Sequence, residues 1–211
     1  MKYILAIVMI LSTATMTSAQ SFFMNKPYEI TVSDDKLIFT GMFFKGVAGQ
    51  IIREMTANNL KILVMNSPGG LMKQAEYLAN FVKSQNIEIQ IPENAWCVSA
   101  CAFAAIASDK IVFAPGSALL FHAPYLDSVS TNRSLEEIMV NHSRYINSFN
   151  RVIDSYGYGF DFWELILTKS SRTKMIMIAS QKDLFFFKVE HYMDSVGPYS
   201  DRYQIVDVAS E

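Results

Sequence analysis

The stretch from residue 60 to residue 121 alternates short apolar runs with amphipathic segments. Residues 60–65 form a continuous apolar run of strand length, and residues 71–84 repeat apolar side chains at helical spacing. A strand that is apolar on both faces fits a covered sheet, and the order strand, helix, strand favours crossover connections between parallel strands. The sequence therefore predicts an α/β fold of stacked βαβ units with a mainly parallel sheet.

The remaining elements follow from the same two periodicities and from turn residues. Further strands are predicted at 28–32, 36–43, 87–91, 111–113 and 118–121. Further helices are predicted at 47–57, 99–107, 135–156, 160–167 and 181–193, and a polar loop at 126–134.

The amino-terminal segment 1–19 has the pattern of an export signal. Lys2 is its only charge, an apolar run follows, and small residues lead to a cleavage site after Ala19. The apolar run is too short to span a bilayer as a helix, which disfavours the alternative of a retained anchor. We expect a mature domain over 20–198 with a polar tail over 199–211, located in the periplasm or outside the cell, with no membrane span after signal removal.

The net charge and the length of the chain indicate which partners and cofactors to expect. The formal net charge is -2 and the 18 Lys and Arg residues are scattered, so no surface for nucleic acid is predicted. A chain of this size buries roughly 70% of its unfolded surface, so it needs no metal or disulfide framework to fold. We expect no metal ion and no organic cofactor.

Three short segments that follow apolar runs carry residues suited to acyl transfer. They are the turn 66–70 (Asn-Ser-Pro-Gly-Gly), the segment 97–101 (Cys-Val-Ser-Ala-Cys) and the pair Phe121-His122. In open α/β sheets the functional groups lie beyond the carboxyl ends of the strands. Together the segments offer a glycine turn, a hydroxyl nucleophile at a helix start, and an imidazole.

Ser99 is the candidate nucleophile and His122 the candidate base. A serine hydroxyl must lose its proton to a base in the transition state, and a neutral imidazole can accept it. Taken alone, each residue favours a simpler interpretation: Ser99 as a helix N-cap and His122 as a partly buried structural histidine.

Gly70 and Ala100 are the candidate oxyanion donors. A glycine lets a backbone N–H approach a substrate oxygen without a Cβ in the way. The N–H groups of the two residues would stabilise the negative charge of a tetrahedral intermediate. An ordinary strand-to-helix turn is the alternative for the segment 66–70.

Cys97 and Cys101 are the only cysteines, and they flank Ser99. Their number and spacing do not match a zinc site. In an oxidising compartment they can pair, and a disulfide would clamp the turn that presents Ser99. Two buried, unpaired cysteines are the equally weighted alternative.

In combination these segments resemble the Clp protease proteolytic subunit and its relatives in the crotonase-like superfamily. The matching residues are the turn 66–70, Ser99 followed by small residues, and the segment 121–124 (Phe-His-Ala-Pro). The resemblance covers residues 60–124 well and the remainder in outline. It is strongest to exported bacterial proteins that carry a Cys-x-Ser-Ala-Cys segment.

The resemblance implies a crotonase-like (ClpP-like) fold and a serine peptidase. Ser99 would be the nucleophile, His122 the base, and Gly70 and Ala100 the oxyanion donors. The substrate would be a peptide or an unfolded protein segment, bound as an added strand near Gly70. The resemblance also implies a homo-oligomer.

The third catalytic residue of that family, an Asp, has no counterpart in this sequence. The corresponding stretch, 173–180, contains no acid. A backbone carbonyl or a polar side chain would be another way to orient His122, and a lysine base is a further option. Acids elsewhere in the chain are Asp127, Asp154, Asp161, Glu164 and Asp183, and the candidate lysines are Lys110 and Lys174.

Two other functions are compatible with the same residues. One is a catalytically silent peptide- or protein-binding protein of the periplasm, which the missing Asp favours and the retained Ser99, His122 and Gly70 disfavour. The other is an acyl-CoA enzyme of the same superfamily. Export and the lack of a basic cluster for phosphates argue against it.

Overall fold

The computed structural model describes residues 27–123, 143, 153–171, 174–188 and 202–207. Within these residues the chain forms nine strands and five helices. The strands are β1 (Tyr28–Ser33), β2 (Lys36–Gly41), β3 (Ile62–Asn66), β4 (Glu88–Ile91), β5 (Trp96–Val98), β6 (Ile111–Phe113), β7 (Ala118–Phe121), β8 (Lys174–Ile178) and β9 (Gln204–Asp207). The helices are α1 (Val47–Ala57), α2 (Met72–Ser84), α3 (Ala100–Ala105), α4 (Phe160–Lys169) and α5 (Gln181–Phe185).

The strands form two sheets, the first of mostly parallel strands and the second of mixed direction. The first sheet has the order β1-β2-β3-β4-β6. Its strands β2, β3, β4 and β6 run parallel, and β1 pairs with β2 as an antiparallel hairpin. The second has the order β5-β7-β8-β9, in which β5 and β7 run parallel. A parallel bridge between Ser67 and Cys97 joins them just beyond β3. The predicted α/β fold is confirmed, with its strands divided between two sheets.

Helix α2 shows why the sequence pattern specifies this packing. Ala75, Leu78, Ala79 and Val82 are buried, at the spacing that places side chains on one helix face. This face lets α2 contact both α1 and α3. Full burial of a Leu or Val side chain contributes roughly 1.5–3 kcal/mol relative to exposure, so the apolar face holds the helix on the core.

Helix α3 lies entirely inside the core. All six of its residues, from Ala100 to Ala105, are buried, and the helix contacts α2, β5 and β7. Four of the six are alanines, whose small side chains allow close approach to neighbouring backbone. Ser99 therefore lies between a buried helix and the carboxyl end of β5.

The carboxyl-terminal part of the chain differs most from the sequence-based expectation. Strand β9 lies within the segment predicted to be a polar tail, and it pairs with β8, which the sequence did not predict either. Helix α5 ends at Phe185, whereas a helix was predicted over 181–193. Lys188 instead forms an antiparallel bridge with Tyr158, which requires extended backbone there.

Other predicted features lie outside the described residues. They are the export segment 1–19, the loop 126–134 and most of the helix expected over 135–156. In that last range, the described residues 143 and 153–155 are helical. In the ranges that the structure describes, no helix combines the length and the apolar character needed to cross a membrane.

Candidate active site

The turn after β3 is held by Ser67. The Ser67 N–H donates to the Trp96 carbonyl at 3.0 Å, and the Val98 N–H donates to the Ser67 carbonyl at 2.9 Å. The buried Ser67 hydroxyl oxygen accepts the Gly69 N–H at 3.0 Å. Backbone and side chain of one residue thus fix the glycine turn against the end of β5.

Gly69 and Gly70 both have positive φ angles, and each is packed against a different segment of the chain. Their φ angles are 98° and 134°. A Cβ on Gly69 would lie 2.9 Å from the Ser99 Cβ, and a Cβ on Gly70 would lie 2.7 Å from the Phe43 carbonyl oxygen. Both positions therefore require glycine for conformation and for space.

The two candidate oxyanion donors are unengaged. Around Gly70, the Phe43 N–H donates to the Gly69 carbonyl and the Leu71 N–H donates to the Phe43 carbonyl, both at 2.8 Å. This bridge leaves the Gly70 N–H unused. Among the residues that the structure describes, neither the Gly70 nor the Ala100 N–H donates a hydrogen bond. Ala100 N lies next to the turn, 3.1 Å from where a Gly69 Cβ would be.

Ser99 does not act as a side-chain N-cap. Its φ and ψ angles are 54° and -120°, and its side chain makes no capping hydrogen bond to α3. A left-handed serine costs roughly 1–3 kcal/mol and persists only where its surroundings impose it. A serine on a strained strand-to-helix turn is how nucleophile turns present a hydroxyl. Ser99 therefore occupies the N-cap position of α3 without capping the helix through its side chain.

Cys97 and Cys101 form a disulfide that spans Ser99. The sulfurs are 2.01 Å apart, the Cα atoms 5.1 Å, and both side chains are fully buried. The bond ties β5 to the first turn of α3. It constrains the chain on both sides of Ser99, together with the Ser99 N–H, which donates to the Leu120 carbonyl at 2.8 Å.

Ser99 and His122 lie at the same edge of the second sheet. Strands β5 and β7 pair in parallel with Val98 opposite Leu120, so each residue follows the carboxyl end of its strand. Neighbouring strands are about 4.8 Å apart. Within the described part of the chain, the Ser99 hydroxyl makes no hydrogen bond to the imidazole. Catalytic hydrogen bonds are often long without substrate and tighten when it binds.

The surroundings of His122 favour a neutral imidazole that carries its hydrogen on Nδ1. Burial lowers the pKa of His122, and its hydrogen bond to the Ala123 backbone opposes that shift. Nδ1 lies 2.8 Å from the Ala123 carbonyl oxygen. Because a carbonyl only accepts, Nδ1 carries the hydrogen and Nε2 keeps its lone pair. Nε2 is therefore the nitrogen that can accept a proton.

No described carboxylate is hydrogen-bonded to His122. Asp183 accepts from the Ser180 hydroxyl and from Arg202, and Asp154 and Glu164 are exposed. Asp127 and the side chain of Asp161 lie outside the described residues. The sequence alone did not identify what lies behind the imidazole, and the structure places the Ala123 carbonyl there.

The two candidate lysines lie in different places. Lys110 pairs with Glu88, at the amino ends of β6 and β4, and therefore at the opposite end of the strands from the candidate site. Lys174 begins β8, is exposed, and lies near the end of β7 because Phe121 pairs with Ile176. In the described ranges, no cluster of three or more His, Cys, Asp or Glu side chains is placed to hold a metal ion.

The fold that combines these two sheets, the buried short helix and the serine turn is shared with a solved protease. The structure is similar to the 1510-N membrane-bound stomatin-specific protease, solved as a lysine mutant with a substrate peptide. The TM-score is 0.52 at 17% identity, covering 82% of this chain and 86% of that one. The ClpP-like fold expected from the sequence is confirmed.

Two further solved structures are similar by the same comparison. A serine mutant of the stomatin-specific protease gives a TM-score of 0.49 at 17% identity, covering 82% of this chain and 91% of that one. A ClpP1 mutant from Listeria monocytogenes gives 0.46 at 15% identity, covering 58% and 72%. No protein-family model and no curated protein sequence matches the chain.

Proposed function

We propose that this protein is an exported serine peptidase that cleaves peptide bonds through an acyl-enzyme on Ser99. One observation carries the proposal. Gly69 packs against a left-handed Ser99, and the N–H groups of Gly70 and Ala100, which donate to no described residue, belong to the same pair of turns. A structural turn has no need for this combination, whereas an acyl-transfer site requires a nucleophile beside two donors.

The reaction follows from the four groups. The Ser99 oxygen attacks the substrate carbonyl carbon while its proton passes to Nε2 of His122. The resulting oxyanion accepts hydrogen bonds from the Gly70 and Ala100 N–H groups. When the C–N bond breaks, His122 returns the proton to the leaving amine, and an ester remains on Ser99. Water then attacks the ester, with His122 accepting the water proton and restoring it to Ser99.

The substrate class is a peptide or an unfolded protein segment. Within the described residues the Gly70 carbonyl accepts no hydrogen bond, and the Leu71 side chain beside it is 52% exposed. An unengaged backbone edge next to an accessible apolar side chain suits an extended peptide that adds as a strand.

Location and assembly are part of the proposal. The segment 1–19 supports export to the periplasm, and a disulfide is the kind of bond that persists in an oxidising compartment. Homo-oligomerisation rests on the resemblance to the Clp protease proteolytic subunit. Sedimentation of the mature protein, residues 20–211, tests it directly.

A serine-directed fluorophosphonate probe tests the proposed chemistry. The folded wild type should be labelled, Ser99→Ala should not, and His122→Ala should lose labelling with little change in thermal stability. A folded wild type that stays unlabelled would overturn the proposal.

The specific rival is a catalytically silent peptide-binding protein. Within the described residues the Ser99 hydroxyl makes no hydrogen bond to the imidazole, and this observation favours the rival. Binding of an unfolded model peptide by the unlabelled wild type would support this rival.

A further inference from the structure

Ser170, the residue that ends helix α4, makes two hydrogen bonds that lead to the candidate base. Its hydroxyl oxygen accepts the Ala123 N–H at 2.7 Å, across 47 positions of sequence. The same hydroxyl donates to the Ile166 carbonyl at 2.6 Å, in the last turn of α4. Its single donor and an acceptor site are therefore both used, and the donor direction is fixed.

The residue whose N–H is held by Ser170 is also the residue whose carbonyl contacts His122. The Ala123 carbonyl lies 2.8 Å from Nδ1 of the imidazole. The hydrogen bonds thus form a continuous chain from Nδ1–H to the Ala123 carbonyl, and from the Ala123 N–H through the Ser170 hydroxyl to the Ile166 carbonyl. Each donor in the chain meets one acceptor, so the chain is consistent only when Nδ1 carries the hydrogen.

We propose that Ser170 is a positioning residue for His122 and maintains its Nδ1–H tautomer. The catalytic consequence rests on the proposed serine peptidase, but the tautomer does not. Without the Ser170 hydroxyl, the Ala123 N–H loses its acceptor, and the backbone of Ala123 is free to change its φ and ψ angles. Its carbonyl then leaves Nδ1, and the imidazole gains access to the Nε2–H tautomer, in which the nitrogen needed as a base is blocked.

The neighbouring helix residue Thr168 provides a matched control. Its hydroxyl donates to the Glu164 carbonyl at 2.7 Å, which is the same contact with the preceding turn of α4 that Ser170 makes. Thr168 is exposed and makes no bond to Ala123. A Thr168→Ala variant therefore removes a comparable helix contact while leaving the chain to His122 intact.

Nitrogen NMR of histidine-labelled mature protein at neutral pH tests the tautomer without requiring activity. The sequence has three histidines, so the His122→Ala spectrum assigns the signal. We expect a protonated Nδ1 and an unprotonated Nε2 in the wild type, in Ser170→Thr and in Thr168→Ala. We expect a raised Nε2–H population in Ser170→Ala. A wild type in the Nε2–H tautomer would overturn the proposal even if Ser170→Ala fails to fold.

Fluorophosphonate labelling then measures the catalytic consequence. Small displacements of a catalytic group cost up to about 100-fold in rate, so we expect Ser170→Ala to label about 10- to 100-fold more slowly. Ser170→Thr should recover most of the rate and Thr168→Ala should match the wild type. A folded Ser170→Ala with unchanged tautomer and rate would contradict the positioning role. An unlabelled wild type whose tautomer still responds to Ser170→Ala would support that role and refute the peptidase.

Discussion

Gly69 and Ser99 are packed so closely that a Cβ added at position 69 would lie 2.9 Å from the Ser99 Cβ. The same Cβ would lie 2.6 Å from the Val98 carbonyl oxygen, which is backbone and cannot move aside cheaply. The glycine turn and the serine turn are therefore one structural unit, although 29 positions separate them in the sequence. A change in one turn must alter the other.

Gly69→Ala should displace the Ser99 turn. The new methyl group clashes with backbone, and a φ of 98° disfavours any side chain, so we expect a loss of about 1–3 kcal/mol in the free energy of unfolding. We also expect little or no fluorophosphonate labelling, because the nucleophile moves relative to its oxyanion donors. Urea unfolding and labelling of the folded fraction provide the two measurements.

The matched control is Gly49→Ala, in the first turn of α1. A Cβ there would meet Arg53 Nη1 at 3.8 Å, an ordinary contact. Because glycine in a helix interior is less favourable than alanine by roughly 0.5–1 kcal/mol, this variant should be as stable as the wild type or more so. Its labelling should be unchanged. Equal labelling of the two alanine variants would mean that the Ser99 turn does not depend on Gly69.

Removing the disulfide as Cys97→Ala with Cys101→Ala should affect stability and rate separately. A bridge that closes so short a loop contributes about 2 kcal/mol by the chain-entropy argument, and the unfolding free energy should fall by that amount. Labelling should also slow, because one of the constraints that hold Ser99 left-handed is gone. A destabilised variant that labels at the wild-type rate would show that the backbone alone positions the nucleophile.

Several elements follow directly from the sequence. Helix α1 and strands β6 and β7 have the predicted bounds, because Gly46 marks the start of the helix and Pro115-Gly116 separates the two strands. Strand β5 was not predicted, because its three residues run directly into the segment that was interpreted as the serine turn. Strand β9 was missed because an exposed edge strand needs only a hydrogen-bonding partner, here β8, and no apolar face.

The sequence identified the residues that we propose to react, but it did not identify the residues that hold them in place. Ser99, His122 and Gly70 each follow an apolar run, and that signal is local. Leu71 was expected on the buried helix face, but its N–H bonds to the Phe43 carbonyl, which keeps it extended and exposed. The contact of Ser170 with Ala123 joins distant segments and leaves no trace in either.

The labelling rate should depend on pH through His122. Burial lowers the pKa of His122 below 6.5, and only the neutral imidazole accepts the Ser99 proton. The rate should therefore rise with pH, with a midpoint below 6.5, and then stay constant at neutral pH. A midpoint above 6.5 would contradict this and would indicate a carboxylate that stabilises the imidazolium.

The same shift predicts how stability depends on pH. As pH falls, the unfolded chain takes up the His122 proton near 6.5, before the folded protein does. Above pH 6.5, the titration of His122 therefore does not change the free energy of unfolding. Between 6.5 and the lower pKa of the folded protein, that free energy decreases as the pH falls. Below the folded pKa, the loss stays constant. His122→Gln should remove this part of the acid dependence, which urea unfolding at one pH above 6.5 and one pH below it measures. If the free energy of unfolding changes between the two pH values as much in His122→Gln as in the wild type, the burial of His122 is contradicted.

The last prediction decides between histidine and lysine as the base. Lys174 is exposed at the start of β8, and its backbone pairs with Asp207, so the residue is placed to hold the sheet edge. Lys174→Ala should keep the wild-type labelling rate, whereas His122→Ala should lose labelling because it removes the imidazole that follows β7 beside the Ser99 turn. Lys110→Ala, which breaks an ion pair with Glu88 at the other end of the strands, is the matched lysine control. Loss of labelling in Lys174→Ala but not in Lys110→Ala would replace the Ser99–His122 pair with a Ser99–Lys174 pair and would make His122 structural.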